Sequence, residues 1–257
     1  MNTKEKFIAY KTIVIREVLR FSRIWVQTIV PPMVTMGLYF VIFGNLIGQR
    51  IGPMEGFNYI DYIVPGLIMM SVITNSYANV VSSFYGTKFQ HSIEEMLVSP
   101  VPNYIILLGF VTGGVVRGIA VGIAVTIVAM FFADILVHDL VVIFSMVLMT
   151  AILFSLAGFI NGVYAQSFDD ISLIPTFVLT PLTYLGGIFY SISLLPQFWQ
   201  DASLFNPILY MVNAFRYGFL GVSDIDLGMS YAITLIFITG LYVFGLRLLQ
   251  KGHGIKT

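Results

Sequence analysis

Long runs without a charged residue alternate along the chain with short polar breaks. Uncharged runs cover 24–49, 62–87, 140–168, 171–200 and 227–246, and 104–133 is apolar except for Arg117. Each reaches or exceeds the roughly 18 residues that mark a membrane-crossing helix. The pattern therefore predicts an all-α membrane protein with six spans, at 24–48, 62–86, 104–133, 140–164, 170–190 and 227–248. Several runs are longer than one crossing, which implies turns, tilt or partly re-entrant structure. Three breaks have patterns of their own: 1–23, 87–99 and 191–221.

The second break contains "HSIEEMLVSPVP". Phe89, Ile93, Met96 and Leu97 recur at helical spacing, with Glu94 and Glu95 on other faces. Ser92 and Glu95 have capping-box spacing, and Pro100 and Pro102 end the helix. A short amphipathic helix tied to a span at each end either rests on lipid or takes up displacement from a soluble partner. In the first break, Val14, Val18, Phe21 and Trp25 fall on one face and Arg16, Arg20 and Arg23 on the other. That pattern suits a helix lying in the headgroup plane, as an anchor or as a partner contact.

Composition agrees: 58% of residues are hydrophobic and 10% charged, where soluble domains carry roughly 25% charged residues. Of 13 Lys and Arg, six precede the first span (Lys4, Lys6, Lys11, Arg16, Arg20, Arg23) and three follow the last (Arg247, Lys251, Lys256). The positive-inside rule then puts both termini and the 87–99 helix, with Lys88, in the cytoplasm. Arg50 and Arg216 fall outside. No cleavable signal peptide is expected, since a charged amphipathic segment precedes the first apolar run. Cysteine is absent, which excludes disulfides and thiol chemistry.

Chemistry within the chain is not expected. No Gly-Lys dipeptide is present, so a phosphate-binding P-loop is excluded. His91, His138 and His253 are scattered and suggest no metal site. Asp169 and Asp170 read as the helix start of the fifth span or as a secondary cytoplasmic contact. Two polar stripes, Ser71–Asn75–Asn79–Ser82 and Thr176–Thr180–Thr183–Gly187, serve helix packing or line a conduit through Asn75, Asn79, Thr176, Thr180 and Thr183. Pro175 and Pro181 weaken the fifth span, and Gly186–Gly187 free its outer end. Arg117, flanked by Gly113, Gly114, Gly118 and Gly122, is a costly intramembrane charge. It snorkels, binds lipid phosphate, or pairs with Glu94 or Asp170. Outside, Phe189, Tyr190, Phe198, Trp199, Tyr210 and Arg216 suit an aromatic belt or an outer gate. The apolar piece between Asp201 and Arg216 is too short to cross.

Over essentially its whole length the chain resembles the ABC-2 type permeases, the transmembrane subunits of ABC exporters, most sharply in its C-terminal part. The matching residues are Leu179, Leu182, Leu185–Gly186, Ile188, Leu195–Pro196, then Pro207–Ile208, Tyr210 and Arg216. "WVQTIVPP", "YIVPGLIMMSVITNSY" and "SFDDISLIPTFVLTPLTYLGGIFY" look like the YadH-type branch of bacterial inner-membrane permeases. The resemblance implies one ABC-2 transmembrane domain over 1–257, a homodimer, and two copies of a separate nucleotide-binding subunit that carries ATP and Mg. It makes 87–99 the coupling helix and 191–221 the re-entrant outer helices, with a conduit at the dimer interface. Relatives export polysaccharides, lipid-linked glycans or hydrophobic drugs. An ion-coupled secondary transporter is the alternative, although no mid-span carboxylate is apparent to serve it. A membrane-embedded transferase or protease would need clustered His, Asp or Glu. Nucleic acid is not an expected partner.

Overall fold

In a computed structural model the described residues, 1–252, are helical apart from loops. His253 and Lys256 lie outside them. The helices are α1 (Thr3–Ser22), α2 (Trp25–Tyr39), α3 (Gly48–Ile51), α4 (Tyr59–Phe89), α5 (Ser92–Val98), α6 (Asn103–Ala129), α7 (Leu140–Tyr164), α8 (Asp170–Ile174), α9 (Thr180–Tyr184), α10 (Gln197–Ser203), α11 (Pro207–Leu220) and α12 (Leu227–Lys251). Two π-helical segments continue the chain, Phe40–Ile47 after α2 and Pro175–Leu179 between α8 and α9.

Five of these helices are long and apolar enough to cross a bilayer: Trp25–Gly44, Tyr59–Phe89, Asn103–Ala129, Leu140–Tyr164 and Leu227–Lys251. The expected fifth span, 170–190, is not among them. There one continuous helix runs through α8, a π turn and α9 and ends at Tyr184. At about 1.5 Å per residue it reaches about 22 Å, short of the roughly 30 Å hydrocarbon core. Pro175 and Pro181 each remove a backbone donor, in keeping with the π turn that lies at them.

α4 is the axis, with Ile63, Leu67, Ile73, Val80 and Phe84 all fully buried between α6 and α7. Small residues permit this closeness, as expected where lipid gives helices no hydrophobic drive to associate. A Cβ on Gly158 of α7 would stand 2.5 Å from the Tyr77 carbonyl oxygen of α4. The glycines around Arg117 meet three helices: Gly113 faces Glu17 of α1, Gly118 and Gly122 face Ser76 and Val72 of α4, and Gly114 faces both Ser155 of α7 and Val80 of α4.

Two local expectations are revised. α1 packs an Ile13–Glu17–Phe21 edge inward, and of the anticipated apolar face only Phe21 is buried there. Arg20 is turned toward α4 rather than away. α5 lacks the anticipated capping box: His91 is its N-cap in a left-handed backbone (φ 57°), and the Ser92 hydroxyl donates to Thr87 O at 3.1 Å. Phe89 ends α4 and so does not share a helix with Ile93.

Candidate functional site

Chain reversal at Gln90–His91 sets α5 across the end of α4. Ile93 is buried beneath it, Met96 and Leu97 are half-buried, and Glu94, Glu95 and Phe89 are exposed. The helix therefore presents its acidic face outward from a fixed base. Lys88, one turn before the reversal, donates from Nζ to the Val163 and Ala165 carbonyls at 2.9 and 2.7 Å. Those carbonyls belong to the unsatisfied C-terminal end of α7, where a cation is favoured. Beside it the Tyr85 hydroxyl donates to Gln166 O at 2.9 Å, and Phe168 packs edge-on to both Tyr85 and Phe89. Asp170 accepts from the Gln166 and Ser167 N–H groups, so it ties down the α7–α8 turn, while Asp169 is the N-cap of α8 without a side-chain bond. The end of α4 beneath α5, the end of α7 and the start of α8 form one bonded junction.

A second polar group lies deeper, where α1, α4 and α6 meet. Asn75 and Asn79, one turn apart on α4, are buried and face arginines. Arg117 Nη2 donates to Asn75 Oδ1 at 3.3 Å, and Arg20 Nη2 donates to Asn79 O and Oδ1 at 2.9 and 2.7 Å. This corrects the expected Arg117 pairing: among the described residues its side-chain partner is a neutral amide of α4, not Glu94 or Asp170. The buried carboxylate here is Glu17, shared by Arg16 at 3.2 Å and Arg20 at 3.5 Å. Sequence reading missed Glu17, because a lone acid among N-terminal cations reads as a solvated face. The missed signal was its four-residue spacing from Ile13 and Phe21.

The second polar stripe does not join the first. Thr176 and Thr180 are exposed, and Thr183 is buried with its hydroxyl donating to Leu179 O and Thr180 O within its own segment. Thr180 likewise bonds back to Pro175 O.

The outer residues form a clasp rather than a ring of aromatics. Gly186 and Gly187 follow α9, and Gly187 takes a left-handed turn (φ 70°) that a side chain would strain. Arg216 of α11 is 1% exposed, stacks 4.0 Å over the Tyr62 ring, and donates to Gly187 O at 2.5 Å and to Tyr62 O at 3.3 Å. It thus ties α11, α4 and the glycine turn together. Asn206 anchors the start of α11 by donating to Leu182 O, and Gly218 O accepts from the His138 and Asp139 N–H groups at its other end. Phe189 packs against Tyr39, Phe43 and Tyr184, and the Tyr190 hydroxyl donates to Tyr184 O. Tyr210 is buried with its hydroxyl on Leu204 O, whereas Phe198 and Trp199 are exposed on α10. No group of three or more His, Asp or Glu suited to a metal is found among the described residues.

Comparison with known proteins agrees with this architecture. Residues 8–220 match the family described as ABC-2 type transporter. The chain is 58% identical over 251 residues, 98% of both chains, to the inner membrane transport permease YadH of Escherichia coli K12, and equally to that of Shigella flexneri. It is 21% identical over 217 residues, 83% of both chains, to nodulation protein J of Rhizobium leguminosarum bv. viciae. With most of its length in the match and several apolar helices to cross the inner membrane, the chain belongs to the ABC-2 type transporter family as a multi-pass transport permease.

Proposed function

We propose that this chain is the membrane-embedded half of an ATP-driven exporter, acting as a homodimer with two copies of a separate ATPase that binds ATP and Mg. The observation that carries the reading is the junction under α5. An exposed acidic helix is bonded through Ser92 to the end of α4, which Lys88 and Tyr85 clamp to the end of α7, directly before the π-widened α8–α9 segment. A push on α5 would pass through bonded contacts to the least regular helix of the bundle. α5 is thus the coupling helix, with Asp169 and Asp170 beside it as a second contact.

In this reading α8, the π turn and α9 enter from the cytoplasmic side, and the α10–α11 hairpin closes the outer half of a sixth crossing. Both termini are cytoplasmic, on the strength of the flanking cations. Exposed apolar residues of α2 and α8–α9, such as Val34, Leu38, Leu173 and Phe177, suit a second copy or lipid. The cargo is a polysaccharide, lipid-linked or hydrophobic molecule moved outward, with Thr176 and Thr180 facing its path.

The test is purification of the tagged chain from its native membranes. A stoichiometric P-loop ATPase is expected, and it should be lost when Glu94→Lys and Glu95→Lys are combined. A stable preparation without any ATPase would overturn the reading and favour an ion-coupled transporter.

A further inference from the structure

The charges at the α1–α4–α6 junction do not balance. Two guanidiniums, Arg16 and Arg20, share one carboxylate, Glu17, and a third, Arg117, makes no ion pair among the described residues. Arg117 lies within electrostatic reach of Arg20 and has, among the described residues, only the Asn75 amide, at 3.3 Å, as a side-chain partner. Its Nε is buried without a hydrogen bond, and so are the amide nitrogen of Asn79 and the Ser76 hydroxyl in the same layer. Unmet donors beside an uncompensated cation within a bilayer are expensive, and such a charge ordinarily serves a ligand or a pathway.

Arg117 also borders open space. A cavity of about 400 Å³ between α2 and α4 has Arg117 and Asn75 in its wall, with Gln27, Thr28, Thr35 and Thr74 adding polar groups. On the other side of the Arg20–Asn79 bond, a cavity of about 590 Å³ is lined by Arg16, Glu17, Arg20, Arg23 and Ser82. Arginine thus faces both spaces, and the bond from Arg20 to Asn79 lies between them along α4.

We propose that the groove between α2 and α4 binds a phosphate-bearing headgroup, held by Arg117 with Asn75 at its base. A guanidinium offers two parallel donors that match phosphate oxygens, and an anion there would neutralise the excess charge that Glu17 leaves. Size agrees: the cavity is within the usual range of ligand pockets, about 300–1,000 Å³. The phosphate belongs to a resident phospholipid or to the cargo. The cargo source rests on the exporter reading, and the lipid source does not.

Binding, rather than transport, tests the site, so its failure leaves the ATPase experiment untouched. The full-length chain, Arg117→Gln, Arg117→Lys, Asn75→Leu and the control Arg247→Gln would be purified in mild detergent. Phosphorus assay and native mass spectrometry would measure retained phospholipid, and thermal shift would compare farnesyl phosphate with farnesol. A phospholipid kept by the wild type and the control but lost by Arg117→Gln identifies a resident lipid. No retained lipid, with a farnesyl phosphate shift absent for farnesol, identifies a cargo phosphate. Arg117→Gln should then bind the probe about tenfold or more weakly, with partial recovery in Arg117→Lys. If Arg117→Gln fails to fold, Asn75→Leu carries the same comparison. Neither retained lipid nor a phosphate-dependent shift in the folded wild type overturns the proposal, as does equal binding by wild type and the folded variants.

Discussion

Replacing Glu17 with glutamine keeps the shape of the side chain and removes its charge. In the wild type this carboxylate is 1% exposed, 3.2 Å from Arg16 and 3.5 Å from Arg20. At an effective dielectric of about 20, a pair near 4 Å gains about 4 kcal/mol. Desolvation of the carboxylate offsets much of that. The two arginine side chains remain 44% and 33% exposed, so water takes over part of the stabilisation once the acid is gone. Glutamine can also still accept from Arg16. Together these leave an expected loss of about 2 kcal/mol, below the 3–5 kcal/mol typical of a broken, fully buried pair. For a chain of this size that lowers the melting temperature by about 4–8 °C. Thermal unfolding of the purified protein in detergent, followed by tryptophan fluorescence, would measure it. A double-mutant cycle with Arg20→Gln should give a coupling of about 1 kcal/mol or more. A melting temperature within about 1 °C of wild type, or no coupling, would refute the idea that Glu17 stabilises the protein by holding Arg20, on its own helix, in place against Asn79.

Gly158→Ala places a methyl 2.5 Å from the backbone oxygen of Tyr77, an atom that cannot rotate away; α4 and α7 must part, at a cost of about 1–3 kcal/mol visible in the same melting assay. Gly187→Ala forces a side chain into a left-handed turn and against Leu209. It should lose about 1–2 kcal/mol and slow transport in proteoliposomes without loss of assembly; normal stability and flux would remove the turn from the mechanism. Lys88→Met abolishes both bonds to the end of α7. It should leave the ATPase bound while lowering cargo moved per ATP, and an unchanged ratio would break the proposed link from α5 to α8.

Long uncharged runs were enough to place most of the bundle, because crossing a bilayer demands length and apolarity that little else in a sequence mimics. α4, α6, α7 and α12 follow those runs closely. The short helix before Pro100 was equally legible, since two prolines and a reversal of polarity bound it. The run 171–200 misled for a physical reason. Hydropathy counts side chains, whereas Pro175 and Pro181 act on backbone donors and Gly187 turns the chain, so the run reads as one span and folds as a shorter, π-widened helix that ends at Tyr184. Facing was also hidden. The Asn75–Asn79 stripe shows that one side of α4 is polar, but its partners Arg20 and Arg117 come from two other helices and depend on how these are rotated. α11 read as re-entrant or interfacial by length alone; Leu209, Met211, Val212 and Ala214 are fully buried, because α4, α7 and α12 enclose it. The clasp made by Arg216 could not be inferred from its position in an apolar, aromatic stretch.

The π turns at Phe40–Ile47 and Pro175–Leu179 have a consequence for how such a bundle can change shape. Each widened turn carries surplus backbone relative to an α-helix. Shifting that surplus one residue along the axis swaps carbonyl partners one at a time and turns only the residue it passes by about 100°, leaving the helix on either side in place. Lipid penalises any amide left without a partner, so a stepwise shift that keeps partners is cheaper than bending or unwinding. Helices built this way can turn single residues toward or away from the interior while their ends stay at the same depth.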